Sequence, residues 1–337
     1  MSRARGPWVE PDTAALLAAM ARDFAGAPAE PTVDERRQGL NIAADLYGPA
    51  PAPVGRIEDR FAPGPHGPVP VRIYWPPEGE GERLRPLVVH IHGGGWVLGD
   101  PDGYARVCRA YCAAGDCVVV DVDYRRAPEH KHPVALDDCL AALAWAAANA
   151  RALGGDPARI VVTGDSAGGH LAAATCQQTS IPVALQILVY PVMSASARAD
   201  FPSRRALGDG AYFLREFDIL RAESEYFSPG DDRESAPASP LLASAAVLSR
   251  QPRTVVITAS LDPLCDEGAA YAKALKRAGV DAREWRIRGT IHGFVLFAGR
   301  IGKGRDIIRR IGRAVSGARS GPGRFGLFRR QPSAPRG

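Results

Sequence analysis

Residues 164–168 read Gly164-Asp165-Ser166-Ala167-Gly168, set between the apolar run 160–163 and the alanine-rich stretch 171–175. A strand that enters so tight a turn and leaves as a helix lifts the central serine clear of its neighbours, and small flanking residues let the backbone bend that sharply. Ser166 is therefore a candidate nucleophile. The pentapeptide alone is weak evidence, because a chain of this composition matches G-x-S-x-G by chance about 0.2 times. Two other clusters carry the argument further.

Upstream, His92-Gly93-Gly94-Gly95-Trp96 follows the apolar run 87–91, which has the length of a buried parallel strand. Such a run is expected by chance only about 0.01 times. Its glycines leave backbone N–H groups bare, and donors fixed in advance around a carbonyl oxygen stabilise the anion that forms when a serine attacks. Gly94 and Gly95 are candidates for that task. The N–H of Ala167, at the start of the helix after the nucleophile, is a third.

Downstream, 254–259 reads as a strand that leads into Ser260-Leu261-Asp262-Pro263-Leu264. A helical pattern follows, with Tyr271, Leu275 and Ala278 on one face. Residues 282–287 read as the next strand, and the loop beyond carries Thr290-Ile291-His292-Gly293-Phe294. Loops at the carboxyl ends of parallel strands share one rim, so Ser166, Asp262 and His292 can converge despite their separation. A serine nucleophile needs a base and a group that orients the base, and His292 and Asp262 fill those roles. Asp266 and Glu267 are the alternative carboxylates. Strands alternating with helices make the class α/β.

With these residues in view, the chain resembles the α/β-hydrolases of the hormone-sensitive-lipase-like branch, bacterial carboxylesterases with an H-G-G-G loop and a G-D-S-A-G elbow. The likeness runs from about residue 69 to 297. It also rests on Asp123-Tyr124-Arg125, Ala127-Pro128-Glu129-His130, Gly154-Gly155-Asp156-Pro157, Tyr190-Pro191 and Ala238-Ser239-Pro240. The resemblance implies a mostly parallel central sheet flanked by helices, with a helical cap. It implies hydrolysis of small short-acyl esters by a serine carboxylesterase, without metal or organic cofactor, using Ser166, His292 and Asp262. Three departures stand out: the stretch between Gly169 and Tyr190 is short, Arg126 stands where an aliphatic residue is usual, and His170 where asparagine is common. An amidase, lactonase or deacetylase would use the same machinery, and a non-catalytic ligand-binding member of the fold is the alternative from another class.

The domain reading is an N-terminal cap segment 1–55, a core 56–316 with a cap insertion at about 194–240, and a basic tail 317–337 expected to be disordered. The first segment is read as one amphipathic helix (Leu17, Met20, Phe24) followed by a proline-rich connection, and 214–226 as helical. Trp8, Phe24, Tyr212, Phe213 and Phe217 are candidates to line a substrate pocket. Of the 337 residues 46% are hydrophobic, yet no apolar run reaches the ~18 residues of a membrane span. The polar start carries no signal-peptide pattern, so a cytoplasmic location is expected. The six cysteines form no C-x-x-C pair and are read as reduced packing residues, with no metal site.

The formal net charge is +5, but eleven of the 42 basic residues and one of the 37 acidic ones lie after residue 299, so the rest of the chain carries −5. No specific nucleic-acid function follows from such a distribution. Ile308, Ile311 and Val315 on one face and Arg305, Arg309 and Arg313 on another predict a docked terminal helix. The tail beyond it suits only weak contact with anionic surfaces. The partner expected is a small-molecule ester, and a homodimer is compatible with the sequence.

Overall fold

From residue 85 onward, runs rich in Val and Ile alternate with helices. β-Branched side chains stack well on a pleated surface buried on both faces, so each run becomes a strand. The computed structural model describes residues 6–77, 83–196 and 198–319. In chain order the elements are α1 (Pro11–Asp23), α2 (Val33–Tyr47), β1 (Arg56–Ala62), β2 (Val69–Trp75), β3 (Arg85–Ile91), α3 (Pro101–Gly115), β4 (Val118–Val122), α4 (Val134–Ala148), β5 (Gly155–Asp165), α5 (Ala167–Gln178) and β6 (Leu185–Val189). Then come α6 (Pro202–Leu207), α7 (Glu216–Tyr226), α8 (Ala245–Leu248), β7 (Thr254–Leu261), α9 (Cys265–Arg277), β8 (Ala282–Ile291) and α10 (Gly302–Ser316).

The strands form one sheet in the order β1-β2-β4-β3-β5-β6-β7-β8. The β1–β2 and β2–β4 pairs are antiparallel and the other five pairs parallel, so the expected mostly parallel sheet is present. Adjacent residues point to opposite faces. Val88, Val119, Val161, Ile187 and Val255 pack under α3 and α10, while Val89, Val120, Val162, Leu188 and Val256 pack with α4, α5 and α9. A one-residue slip in any central strand would exchange these sets, so burial on both faces fixes the register.

One pairing matters most for chemistry. Leu261 and Ile291, the last residues of β7 and β8, are register partners, so the chain sets Asp262 and His292 side by side on leaving the sheet. Both strands run further than the sequence pattern indicates, which moves these two residues from open loops to the sheet's rim.

Two of the elements that escaped the sequence pattern, α2 and β1, lie near the start of the chain. The first segment holds two helices rather than one. α2 begins at a capping box in which the Glu35 amide donates to Thr32 Oγ1 (3.2 Å) and the Thr32 amide donates to Glu35 Oε2 (2.8 Å). β1 is largely polar and half exposed, and it is a strand because β2 supplies its ladder. At the other end α10 buries Ile307, Ile308, Ile311 and Val315 and leaves Arg305, Arg309 and Arg313 exposed, as the periodicity predicts. Ala318 is also buried, and Arg159 donates to its carbonyl (3.1 Å) and to that of Ser316 (2.6 Å). The rest of the expected tail, 320–337, lies outside the described residues.

Candidate active site

Ser166 sits between β5 and α5 with φ 54° and ψ −122°, a left-handed conformation that costs a non-glycine residue energy and that the surroundings must enforce. They do so through the backbone. The Ser166 amide donates to the Val189 carbonyl (2.9 Å), and the Ser166 carbonyl accepts from Val192 (3.1 Å) and His170 (3.1 Å). Close approach sets the glycine: a Cβ on residue 168 would lie 2.1 Å from the Ile91 oxygen and 2.3 Å from that of His92. Gly168→Ala is therefore expected to destabilise the fold by about 1–3 kcal/mol or more, as other overpacked cores do. A lowered urea midpoint checks this, and an unchanged midpoint would show that the elbow has slack.

The three rim residues meet. His292 Nε2 lies 2.9 Å from Ser166 Oγ, and His292 Nδ1 lies 2.8 Å from Asp262 Oδ2. Asp262 is fully buried, and its other oxygen accepts the Leu264 amide (2.9 Å). A carboxylate only accepts, so the imidazole proton belongs on Nδ1, and Nε2 presents a lone pair to the serine hydroxyl. Tyr190 packs against the imidazole with centroids 4.7 Å apart. The alternative carboxylates are engaged elsewhere. Asp266 accepts the Ser203 amide (2.9 Å), and Glu267 accepts the Met193 and Ser194 amides (2.6 and 3.1 Å) and the Arg204 guanidinium (2.9 Å).

The glycine loop after β3 folds back on itself, with the Val97 and Leu98 amides both donating to the Gly94 carbonyl and Gly94 at φ +119°. Asp165 ties this loop to the elbow. Its carboxylate accepts the Gly93 amide (3.0 Å) and the Tyr104 hydroxyl (2.9 Å), and burial pushes its pKa upward. His92 is scaffolding: it stacks on Tyr124 at 4.3 Å and donates from Nδ1 to the Gly93 carbonyl (2.9 Å), and burial lowers its pKa to about 4, so it stays neutral. Gly94 and Gly95 border the same cavity as Ser166 and His292, while Ala167 is the first residue of α5. Among the described residues the N–H groups of Gly94, Gly95 and Ala167 make no hydrogen bond within the protein. They are free to receive an anion.

A cavity of about 550 Å³ opens above Ser166, walled by Met20, Phe24, Leu40, Leu214, Ile219 and Phe297 among others. Of the aromatic candidates, Phe24 and Phe213 line it, Phe213 meeting Phe297 edge-on at 5.4 Å. The other three do not. Trp8 lies over Gly289 with the Arg288 and Lys303 cations at 5.9 and 4.6 Å, outside the cavity, where the Glu10 amide joins the Gly289 carbonyl. Phe217 is 62% exposed between Arg215 and Arg221, on the outer side of α7. Tyr212 is partly buried against the apolar cluster on the α3 and α10 side and is not among the residues that line the cavity.

Two polar ties missed by the sequence reading hold the walls. Arg36 of α2 pairs bidentately with Glu225 of α7 (2.5 and 3.0 Å), and buried Arg204 of α6 bridges Glu267 to Glu223 of α7 (3.4 Å to the latter). Burial raises the Glu223 pKa to about 7 against the pull of Arg204 and Arg233. Behind the sheet, His90, Cys108 and Asp121 gather as the one metal-type cluster among the described residues. His90 Nδ1 is 2.7 Å from Asp121 Oδ1, a direct hydrogen bond and closer than the roughly 3.3 Å that a tetrahedral zinc would impose.

The family described as alpha/beta hydrolase fold matches residues 88–296. A carboxylesterase, NlhH, of Mycobacterium tuberculosis is 38% identical over 300 residues, covering 87% of this chain and 90% of the relative. An ethyl acetate hydrolase of Pseudomonas putida is 36% identical over 232 residues, covering 67% and 71%. The solved hyperthermophilic esterase of the archaeon Pyrobaculum calidifontis superposes with a TM-score of 0.81 at 36% identity, covering 92% of this chain and 98% of its own. The chain belongs to the α/β-hydrolase family. Within it the chain falls in the hormone-sensitive-lipase-like branch, among the carboxylic ester hydrolases. No described helix is long and apolar enough to cross a membrane.

Proposed function

We propose that the protein cleaves small, short-chain carboxylic esters through a covalent acyl-enzyme. The observation that carries this reading is the unbroken chain Asp262–His292–Ser166, at 2.8 and 2.9 Å, beneath an apolar cavity. His292 Nε2 takes the proton from Ser166 Oγ as the oxygen attacks the ester carbonyl, and returns it to the departing alcohol. Water then attacks the acyl-serine, with His292 again as base. At each tetrahedral stage the oxyanion rests on the N–H groups of Gly94, Gly95 and Ala167. Asp262 keeps the imidazole in the working tautomer and stabilises its charged form.

We take 1–55 and 194–240 as the two halves of a cap, because residues of α1, α2 and α7 and of the loops beside them line the cavity on the side away from the sheet's rim residues. Their closure excludes water and strengthens the oxyanion donors. The confined apolar space and the likeness to an ethyl acetate hydrolase both favour short acyl groups. A panel of p-nitrophenyl esters from acetate to decanoate is expected to show kcat/KM highest at six carbons or fewer, and a maximum at decanoate would overturn that preference. Anilides and lactones in the same panel separate the amidase and lactonase alternatives. A non-catalytic binding protein would take up no fluorophosphonate, whereas an activated Ser166 is labelled stoichiometrically.

A cytosolic location is part of the proposal, supported by six cysteines that are all buried and unpaired. So is a homodimer, for which the outer edge of β8, unpaired with another strand among the described residues, is one of two edges the sheet offers, β1 being the other. The basic tail takes no part in the chemistry. Truncation after Arg319 is expected to leave kcat/KM within about twofold of the full chain, since it keeps α10 and the buried Ala318; a tenfold loss would give the tail a role in turnover.

A further inference from the structure

Trp96, directly after the oxyanion glycines, is fully buried at φ 61°, a conformation that a large aromatic residue holds only under constraint. Tyr226 stacks on it (4.8 Å, 5° between planes), Phe227 meets it edge-on at 6.0 Å, and His170 stands perpendicular at 5.3 Å. The indole Nε1–H donates to His170 Nδ1 (3.2 Å), and His170 Nε2 donates to the carbonyl of Ala238 (3.1 Å). An indole only donates and a carbonyl only accepts, so one form of the ring, neutral with its proton on Nε2, makes both bonds. Burial lowers the His170 pKa to about 3, which keeps that form throughout the neutral range.

The bridge spans three parts of the molecule. His170 lies one turn beyond Ser166 on α5, Trp96 continues the oxyanion loop, and Ala238 belongs to the segment 194–240. The same segment presses on the loop directly, since a Cβ on Gly95 would come within 2.9 Å of Ala222 Cβ on α7.

Building on the esterase reading, we propose that His170 is a positioning residue: through Trp96 it locks the cap segment to the oxyanion loop, so that a seated cap aims the Gly94 and Gly95 N–H groups at the transition-state oxygen. Breaking the bridge leaves the substrate pocket in place but loosens the donors. The loss then falls on transition-state binding and spares ground-state binding.

The test compares His170→Leu, which offers neither bond, with His170→Asn, whose Oδ1 can accept from the indole and whose Nδ2 can donate to Ala238. Each is assayed on a butyrate ester, with a trifluoromethyl ketone that forms an anionic adduct on the serine, and with the matching methyl ketone. His170→Leu is expected to lose roughly 10- to 100-fold in kcat/KM, chiefly in kcat, less than the roughly 10²- to 10³-fold lost when an oxyanion donor is removed outright, because the donors are loosened and not deleted. Its affinity for the trifluoromethyl ketone falls in parallel, its affinity for the methyl ketone is unchanged, and His170→Asn recovers most of both losses.

If His170→Leu does not fold, Trp96→Phe removes the indole N–H together with part of the ring system, keeps an aromatic ring for the stack on Tyr226, and is expected to show the same signature at several-fold. A folded variant with unchanged kcat and unchanged trifluoromethyl ketone affinity overturns the proposal, as does a loss spread equally over both ketones. Wild-type protein without ester turnover or fluorophosphonate labelling would instead remove the esterase reading, so the two failures are distinguishable.

Discussion

Ser166→Ala is expected to lower kcat/KM for a butyrate ester by about 10⁴- to 10⁶-fold while circular dichroism and melting temperature stay close to wild type. Removing Oγ deletes the atom 2.9 Å from His292 Nε2 and with it the covalent route. The N–H groups of Gly94, Gly95 and Ala167, the proposed oxyanion donors, remain, and the variant is expected to keep weak turnover by direct attack of water. Alanine fits the elbow, because the backbone bonds to Val189 and Val192 hold the turn without the side chain. Fluorophosphonate labelling should vanish together with activity. Turnover within tenfold of wild type, in protein purified free of endogenous esterase, would remove Ser166 from the mechanism.

Asp262→Asn is the second large effect, with kcat expected to fall by about 10⁴-fold at neutral pH. The argument rests on the two bonds that this carboxylate makes. The amide of Leu264 needs an acceptor, so the asparagine oxygen turns toward it, and the asparagine NH₂ then faces His292 Nδ1. A donor at that point drives the imidazole proton to Nε2, where it faces the serine and can no longer receive the hydroxyl proton. KM changes little, because Asp262 does not line the cavity. A loss below tenfold would mean that the histidine is oriented by something else.

The parts of this site legible in sequence are those with a local cause. The strand, turn and helix around Ser166, the glycine loop and the two downstream rim positions each follow from apolar runs of strand length ended by small or polar residues. The pairing of Leu261 with Ile291, which brings Asp262 and His292 together, follows from the two runs being adjacent parallel strands. The sequence pattern left other parts unread because their cause lies far away in the chain. β1 has no apolar periodicity and exists through its pairing with β2. α2 did carry a local signal, Thr32 followed by Glu35, which the charged stretch after it obscured. Trp8, Tyr212 and Phe217 lie outside regular periodicity or on an outward helix face, so aromatic character alone did not say which way they point. The Arg36–Glu225 and Trp96–His170–Ala238 ties span up to 189 residues of sequence and leave no pattern in it.

Asp165 stands at the junction of the proposed nucleophile and the proposed anion cradle, with one oxygen on the Gly93 amide and the other on the Tyr104 hydroxyl. Because a single buried carboxylate staples both pieces, neither can drift without the other, and the reacting centre behaves as one rigid casting. Much of the cavity wall around it comes from remote stretches of chain, among them Met20 and Leu40, that make neither of those bonds. Substrate preference can therefore be remodelled by exchanging wall residues of the first segment such as Met20 or Leu40, which take no part in the bonds that hold the glycine loop and the elbow.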